Sequence, residues 1–333
     1  MRGFFLGLLA PLIVGPLLVA GFLGLAAGHP TNQSAQIMRA KLAKGHEIEG
    51  SKLVLAGGSN VRYSLRAGEV ERLAGRPALN LALAADLGVD YLLFLMRQVL
   101  RPGDIAVLAI EYSFYADDQI LTRVNAPLAL WNSTDWVRGL PLSEQILWAR
   151  NLTVEAGMGG LASRLGLARS LTLPVGVFNE WGDHVGNDSD AATRLQLADL
   201  SGARAEAERF RFNADSASTL ALSRFMDWCA ANGVRVAAAW PTWGQGLVDS
   251  DRFFRFAGEV REFYEAHGAH VLGTPEEAML PVDQLYDSPW HANTQGALLR
   301  TSRLVADLAN ARLLAPADSS GAEPLILTSG PDR

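Results

Sequence analysis

The chain has 333 residues, of which 49% are hydrophobic, and its 29 Lys and Arg against 35 Asp and Glu give a formal net charge of −6. This length and apolar content suffice for one sizeable domain with an insertion, or for two small domains, and exclude disorder over most of the chain. The negative charge excludes bulk electrostatic attraction to a polyanion, so no nucleic-acid partner is expected.

The amino-terminal segment is the first strong pattern. Residues 3–28 carry no charge and follow Met1-Arg2. As a helix, this run would rise about 39 Å at about 1.5 Å per residue, enough to cross a hydrocarbon core of about 30 Å. Residues 1–28 are therefore predicted to be a transmembrane anchor, with residues 4–28 in the membrane; the alternative is a signal sequence cleaved near Gly24-Leu25-Ala26. In both cases we expect the main domain outside the cytoplasm.

Beyond a polar linker and a first helix over residues 29–50, short apolar runs rich in β-formers alternate with helical patterns. The alternation predicts an α/β fold of three layers, α/β/α, around a parallel five-stranded, flavodoxin-like sheet. The predicted strands, each flanked by Gly, Pro or polar residues, are Lys52–Ala56, Ala78–Leu83, Ile105–Ile110, Val234–Ala239 and His270–Leu272. The predicted helices, with apolar residues three and four apart, are Val89–Leu100, Ala217–Asn232, Arg252–His267 and Thr294–Ala309.

A long insertion, residues 116–214, separates the third and fourth predicted strands within a main domain over residues 51–313. Because parallel sheets bind ligands at the carboxyl ends of their strands, an insertion that leaves the third strand there would shape or cover a site. We expect its tryptophans to fill a core of its own, with stacking on sugar rings as the alternative; they are Trp131, Trp136, Trp148 and Trp181. Residues 314–333 are predicted to be a loose tail.

A serine on a glycine turn follows the first predicted strand. The strand leads into Gly57-Gly58-Ser59-Asn60, where a helix is expected to begin. Such a turn exposes the serine hydroxyl at the carboxyl end of the strand and leaves the serine N–H free to bind an oxyanion. The motif predicts Ser59 as a nucleophile; the alternative is a turn that only packs a helix closely on a strand.

A histidine with a carboxylate just upstream precedes the last predicted helix, in Tyr286-Asp287-Ser288-Pro289-Trp290-His291-Ala292-Asn293. Asp287 could accept a hydrogen bond from one ring nitrogen of His291 and fix its tautomer, leaving the other nitrogen to act as a base. This pattern predicts a triad of Ser59, Asp287 and His291. The alternative is that the aspartate and histidine merely cap and orient the last helix.

The order of these blocks resembles the SGNH (GDSL-like) hydrolase superfamily. An apolar strand, a Gly-x-Ser-Asn turn, a second strand centred on Asn80, a third strand, and a terminal Asp and His before a closing helix occur in that order. The resemblance covers residues 50–115 and 215–312. It implies an SGNH-type fold in which Ser59 is the nucleophile and in which Asp287 and His291 are the acid and base.

The oxyanion-binding blocks depart from the family's pattern. Ala85 stands where a glycine is usual, although alanine keeps the backbone N–H that the family uses. The third block, Ile110–Tyr115, lacks the family's asparagine, whose side chain donates to the oxyanion, and Ser113 or Asn60 is expected to substitute. The acid and base are four residues apart, where three is commoner.

Glu111, at the end of the third predicted strand, is a further polar candidate for the site. Its carboxylate would bind substrate or take part in the oxyanion site. The alternative is that it holds the neighbouring turn or pairs with an arginine such as Arg62.

Within the superfamily, the chain resembles the anchored, exported proteins of bacterial envelope polysaccharide O-acetylation and of teichoic-acid D-alanylation. This resemblance implies a single-pass protein of the bacterial inner membrane with its main domain in the periplasm. It also implies a serine esterase or O-acyltransferase that acts on an envelope polysaccharide or exopolysaccharide, such as a cellulose-like or alginate-like chain. The implied partners are an acyl donor, the polysaccharide acceptor and a membrane-bound acyltransferase.

Two other functions remain open. One is a non-catalytic carbohydrate-binding or scaffold subunit of an exopolysaccharide synthesis complex, which the missing asparagine favours and the complete triad opposes. The other is an ordinary periplasmic esterase or lipase, which the absence of a Gly-x-Ser-x-Gly motif opposes. No His-x-x-x-His or Cys-x-x-Cys spacing occurs, so neither a metal nor a cofactor is expected.

Overall fold

Five parallel strands form the central sheet. The computed structural model describes residues 14, 18–19, 21–29, 32–167, 178–188, 197–247 and 250–314. The sheet has the order β2-β1-β3-β4-β6, and its strands are β1 (Leu53–Ala56), β2 (Ala78–Asn80), β3 (Ile105–Leu108), β4 (Arg235–Ala238) and β6 (His270–Val271). A separate parallel pair joins β5 (Trp243–Gly244) to β7 (Met279–Leu280). All five predicted strands are confirmed, although each is shorter than its apolar run.

Twelve helices can be numbered along the described residues. They are α1 (Gln33–Glu47), α2 (Ser59–Ser64), α3 (Ala67–Ala74), α4 (Val89–Val99), α5 (Asn125–Asn132), α6 (Thr134–Gly139), α7 (Leu142–Asn151), α8 (Val154–Arg164), α9 (Leu197–Ala207), α10 (Ala217–Ala231), α11 (Asp251–Ala266) and α12 (Thr294–Asn310). The four helices predicted in chain order are confirmed as α4, α10, α11 and α12 to within one residue at each end.

Helices cover both faces of the sheet. Successive residues of a strand point to opposite faces, so Val54 and Leu55 enter two different cores. The core on the Val54 side includes residues of α1, α4, α10 and α11, and the core on the Leu55 side includes residues of α2, α3 and α12. The α/β class and a layered arrangement of helix, parallel sheet and helix are thus confirmed. Continuous apolar strands are what a sheet buried on both faces requires.

The tryptophans of the insertion are mostly core residues. Trp131, Trp136 and Trp148 are buried. Their indole N–H groups donate within the protein, to the Ala156 carbonyl, the Asp90 carboxylate and the Ala126 carbonyl, respectively. Trp181 is partly buried and donates to Glu71. The three buried rings are not available to a sugar, but they belong to the main core on one face of the sheet, and Trp181 packs against the core on the other. The prediction that they fill a core of the insertion's own is therefore wrong.

The two ends of the chain lie largely outside the described residues. The predicted anchor, residues 1–28, is described only at residues 14, 18–19 and 21–28, and the predicted tail only at Leu314. Within the part of the chain that is described, no helix is both long enough and apolar enough to cross a membrane. The predicted linker over residues 29–50 contains α1 as its helix.

Candidate active site

Ser59 is the first residue of α2 and follows directly on the turn that leaves β1. Both residues of this turn must be glycine, because neighbouring chain segments leave no space for a Cβ atom. A Cβ on Gly57 would lie 2.4 Å from the Ala109 carbonyl oxygen, and one on Gly58 would lie 2.3 Å from Glu111 Oε1 and 2.7 Å from Ala85 N. The ends of β1 and β3 and the segment after β2 therefore meet at Ser59, as the sequence predicts for carboxyl ends of parallel strands.

His291 and Asp287 form the hydrogen bond that the sequence predicts. His291 Nδ1 lies 2.6 Å from Asp287 Oδ1. Burial is the largest single influence and would raise the pKa of Asp287, but the hydrogen bond and charge of His291, with hydrogen bonds from the backbone and Ser288, together keep the pKa of this carboxyl below its usual value. The other ring nitrogen, Nε2, is buried and has no hydrogen-bond partner among the described residues. A histidine held through Nδ1 with Nε2 unpaired is arranged as a base.

The loop that carries His291 lies along α2. The His291 ring stacks on Tyr63 at a centroid distance of 4.3 Å, and Tyr63 is one helical turn beyond Ser59. Asn60 Nδ2 donates to the Trp290 carbonyl at 3.0 Å. On the other side of His291, the Ala292 N–H donates to Ser64 Oγ at 3.2 Å. The base is thus fixed beside the serine helix, although His291 Nε2 and Ser59 do not hydrogen-bond in this conformation.

A cavity of about 170 Å³ opens at Ser59. Its polar lining includes Ala85, Glu111 and Ser113, all of which the sequence analysis selects, and its apolar lining is Tyr112, Phe210, Pro241, Trp243 and Trp290. The insertion reaches the cavity through Glu206 of α9 and the nearby Phe210. The rings of Trp243 and Trp290 lie 5.5 Å apart and form one wall.

Trp243 and Trp290 were missed by the sequence analysis. Trp290 adjoins His291, and Trp243 lies a few residues beyond the carboxyl end of β4. Ligand sites of parallel sheets form at these strand ends. The position of Trp243 just beyond a predicted strand of the parallel sheet was therefore the sequence feature that could have identified it.

Two backbone N–H groups are available to an oxyanion. The N–H groups of Ser59 and Ala85 have no acceptor among the described residues. Ala85 begins a short 3-10 helix, Ala85–Leu87, and lines the same cavity as Ser59. Free N–H donors at the wall of a partly closed cavity are the usual means of stabilising an oxyanion.

Glu111 holds the turn that carries Ser59. Its carboxylate accepts from the N–H groups on both sides of Ser59, at 3.1 Å from Gly58 N and 3.3 Å from Asn60 N. Burial raises the pKa of Glu111, although these hydrogen bonds oppose the rise. Of the two structural roles predicted for this residue, the structure supports the one in which it holds the turn.

Asn60 lies at the site, but its side chain is engaged elsewhere. The amide Nδ2 donates to the carbonyls of Thr242, at 2.7 Å, and of Trp290, and Oδ1 accepts from the Thr242 N–H at 2.9 Å. The expectation that Asn60 supplies the missing oxyanion donor is therefore corrected, because one amide bond holds the segment after β4 and the other holds the His291 loop. Ser113 is exposed at the cavity wall and remains a candidate donor.

A segment of the insertion, residues 178–188, connects the serine helix to the loop that carries His291. Asn187 is buried, and its Nδ2 donates to the Tyr63 carbonyl at 3.1 Å and to the Ala292 carbonyl at 2.7 Å. Its Oδ1 accepts from Arg66. One side chain thus binds both the serine helix and the histidine loop. No sequence pattern around Asn187 indicates this role.

His184 also belongs to this segment and packs against the same helix. Its ring meets the Tyr63 ring edge-on at 4.5 Å, and Arg62 Nη2 lies 3.3 Å from its Nδ1. Burial, with the positive charge of Arg62, lowers the pKa of His184 to about 4. A neutral His184 therefore supports Tyr63 from the side opposite to the base, and Arg62 pairs with it and not with Glu111.

Replacing Asn187 by alanine is expected to lower the free energy of unfolding by about 2–4 kcal/mol, because this buried side chain bonds to the carbonyls of Tyr63 and Ala292 and to Arg66, and all three bonds are lost. Urea unfolding followed by circular dichroism measures this change. The matched control is Asn232→Ala, which removes an exposed asparagine with one hydrogen bond and should cost little. Equal losses of unfolding free energy in the two variants would contradict the role of Asn187 in connecting the serine helix to the His291 loop.

Comparison with models of known protein families and with curated proteins finds no match for this chain. Ser59 lies at the carboxyl ends of β1 and β3 with two free N–H groups in the same cavity, and the Asp287–His291 pair lies along the helix that Ser59 begins. The basis for a function is therefore this geometry.

Proposed function

We propose that this chain is a serine-dependent acyl enzyme of the SGNH type, an O-acyltransferase or ester hydrolase that carries its acyl group on Ser59. The observation that carries the proposal is the hydrogen bonding and packing of the His291 ring. One ring nitrogen is fixed by Asp287, the other is buried and unpaired, and the ring is held against the serine helix. A residue that only caps the last helix would not need this arrangement, since Asn293 already caps α12 through Gly296 N.

The proposed reaction has two halves. Neutral His291 takes the proton of the Ser59 hydroxyl as the oxygen attacks the carbonyl carbon of the donor ester. The Ser59 and Ala85 N–H groups stabilise the oxyanion, and His291 returns the proton to the departing alcohol. In the second half, His291 deprotonates a sugar hydroxyl or water, which attacks the acyl-enzyme and releases Ser59 with its proton restored.

Glu111 completes the proposed oxyanion site as a neutral acid. A carboxylate beside the oxyanion would repel it, whereas a protonated carboxyl donates an O–H, and apolar surroundings are known to keep a catalytic carboxyl protonated. Glu111 bridges the residues that flank Ser59, and Ala85 N is close to the same point of the turn. Its position and its raised pKa suit the role of the missing asparagine.

The shape of the cavity supports a small acyl group and a sugar acceptor. A cavity of about 170 Å³ has room for an acetyl group beside Ser59. Trp290, which is partly exposed and backed by the buried Trp243 ring, offers a flat apolar surface of the kind that packs against sugar rings. We therefore propose a bacterial envelope polysaccharide or exopolysaccharide as the acceptor.

The proposal includes anchoring of residues 1–28 in the bacterial inner membrane, with the main domain in the periplasm. The uncharged run over residues 3–28 supports it, since its length as a helix suffices to span a bilayer. An acyl donor supplied by a membrane-bound acyltransferase would then reach Ser59 on the periplasmic side.

A non-catalytic, carbohydrate-binding scaffold is the second candidate. One observation favours it: both oxygens of Glu111 accept hydrogen bonds, which suits a carboxylate that keeps the turn rigid and opposes an oxyanion. A scaffold would bind polysaccharide at the aromatic wall and form no covalent intermediate.

The test is intact mass of the full chain in detergent after incubation with 4-nitrophenyl acetate. We expect a gain of one acetyl group that maps to Ser59 and is absent from Ser59→Ala. Ser113→Ala is the matched control, because Ser113 is an exposed serine of the same cavity, and this variant should still be acetylated. No adduct on the unmodified protein, or an adduct that persists in Ser59→Ala, would refute the proposal and favour the scaffold.

A further inference from the structure

Helices α7 and α8 of the insertion present an apolar face to solvent. Leu142 and Ile146 on α7 are 73% and 55% exposed, and Val154 and Met158 on α8 are 77% and 52% exposed. Leu165, at the end of α8, is 62% exposed. Spacings of four within each helix place these residues on one side of it. These five residues are called the α7–α8 face below.

The end of the apolar amino-terminal run is packed on α8, the second of these helices. The Phe22 ring lies against Gly157 of α8, where an added Cβ would be 2.4 Å from Phe22 Cε1, and the Ala26 carbonyl lies against Gly160. Glycine at both positions lets the two chain segments approach closely, as small residues do between membrane helices. The last part of the run is therefore fixed to α8.

Hydrogen bonds hold the end of the run in place. Arg39 donates to the Gly28 carbonyl at 2.8 Å, and the Gly28 N–H donates to the Leu130 carbonyl at 3.1 Å. The last residues of the run contact the insertion directly, with no flexible linker between them. A bilayer that contains the run must therefore lie next to α8.

We infer that the α7–α8 face rests in the interfacial region of the lipid bilayer that holds the amino-terminal run. The residues of this face are apolar and exposed, and α8 itself contacts the segment that would leave the membrane. Water-exposed apolar surface of this extent is unfavourable, and burial in the headgroup and acyl boundary removes the cost.

Apolar contact, and not charge, drives this docking. Arginines end both helices, Arg150 in α7 and Arg164 in α8, but glutamates begin them, Glu144 and Glu155. With opposite charges balanced, docking should be nearly independent of salt and of anionic lipid, unlike that of a polybasic surface.

The inference rests on the proposed anchoring of residues 1–28 and adds a second, monotopic contact to it. Full-length protein is reconstituted into phosphatidylcholine vesicles as the variants Met158→Cys and Ile146→Cys, each labelled with an environment-sensitive fluorophore. Cys229, the one natural cysteine, is buried and does not compete for the label. The matched controls are Leu298→Cys on α12 and Leu220→Cys on α10, which are also exposed apolar positions.

We expect a blue-shifted emission at positions 158 and 146 that spin-labelled acyl chains quench, and neither effect at positions 298 and 220. Introducing Val154→Glu should remove the quenching at position 146 while acetylation of Ser59 by a soluble ester stays unchanged. Vesicle-bound protein with unquenched labels at all four positions would overturn the inference and leave the anchor intact. Protein that does not float with vesicles would overturn both, and energy transfer between copies in place of quenching would show that the face is a dimer contact.

Discussion

Replacing His291 by alanine is expected to slow acyl-enzyme formation at Ser59 by at least about 10³-fold, because it removes the proposed base for the hydroxyl proton. The residual rate would come from the two free N–H donors. Asp287→Asn should cost less, since Asp287 is 47% exposed and orients the base without touching substrate. Single-turnover mass spectrometry with 4-nitrophenyl acetate measures these rates.

The control for this prediction is His267→Ala. His267 also forms a side-chain hydrogen bond, to Ser223 at 2.8 Å, but at the end of α11 and outside the cavity. Its replacement should leave the acetylation rate unchanged. Equal rates for His291→Ala and the unmodified protein would mean that the His291–Asp287 pair is structural, as a cap of the last helix would be.

Replacing Glu111 by glutamine is expected to change the pH dependence of acylation. The pKa of Glu111 is raised by burial, so its neutral, donating form is present below that raised pKa and is lost as the pH rises through it. The unmodified enzyme should therefore slow relative to Glu111→Gln at high pH, since glutamine is a neutral donor at every pH. Dividing the two pH–rate profiles cancels the titrations that both enzymes share. Glu111→Ala should lose about 10²–10³-fold at all pH values, the usual cost of one oxyanion donor.

The matched control is Glu206→Gln. Glu206 lines the same cavity, and burial raises its pKa as well, but it comes from α9 and makes no hydrogen bond to the nucleophile turn. Its pH–rate profile should follow that of the unmodified enzyme. A Glu111→Gln enzyme with an unaltered profile would contradict the neutral-acid role, while the acyl-enzyme itself would stand.

The strands, the serine turn and the Asp287–His291 pair were accessible from the sequence because all three are local patterns. β1 and β3 are continuous apolar runs, which a sheet covered on both faces produces, and Ser59 follows β1 on a glycine pair that sterics demand. Asp287 and His291 are four residues apart in one loop, so their hydrogen bond needs no long-range information.

The rest of the site depends on contacts between distant segments. The partner of Asn60 is Thr242, which is 182 residues away, and no pattern near Asn60 indicates that its amide is already used. Likewise, Asn187 bonds to Tyr63 and Ala292 across separations of 124 and 105 residues. Side chains of this kind are assigned wrongly from sequence because their roles are set by tertiary packing alone.

The bonds of Asn187 also limit how the protein can be re-engineered. Residues 116–214 look like a detachable module, since the sheet and the triad lie outside them. Yet a shortened chain without them would keep Ser59 and His291 but lose Asn187, whose side chain bonds to both the serine helix and the His291 loop. Exchange of this module between enzymes, to alter the substrates they accept, must therefore retain residues 178–188 as part of the recipient's catalytic core.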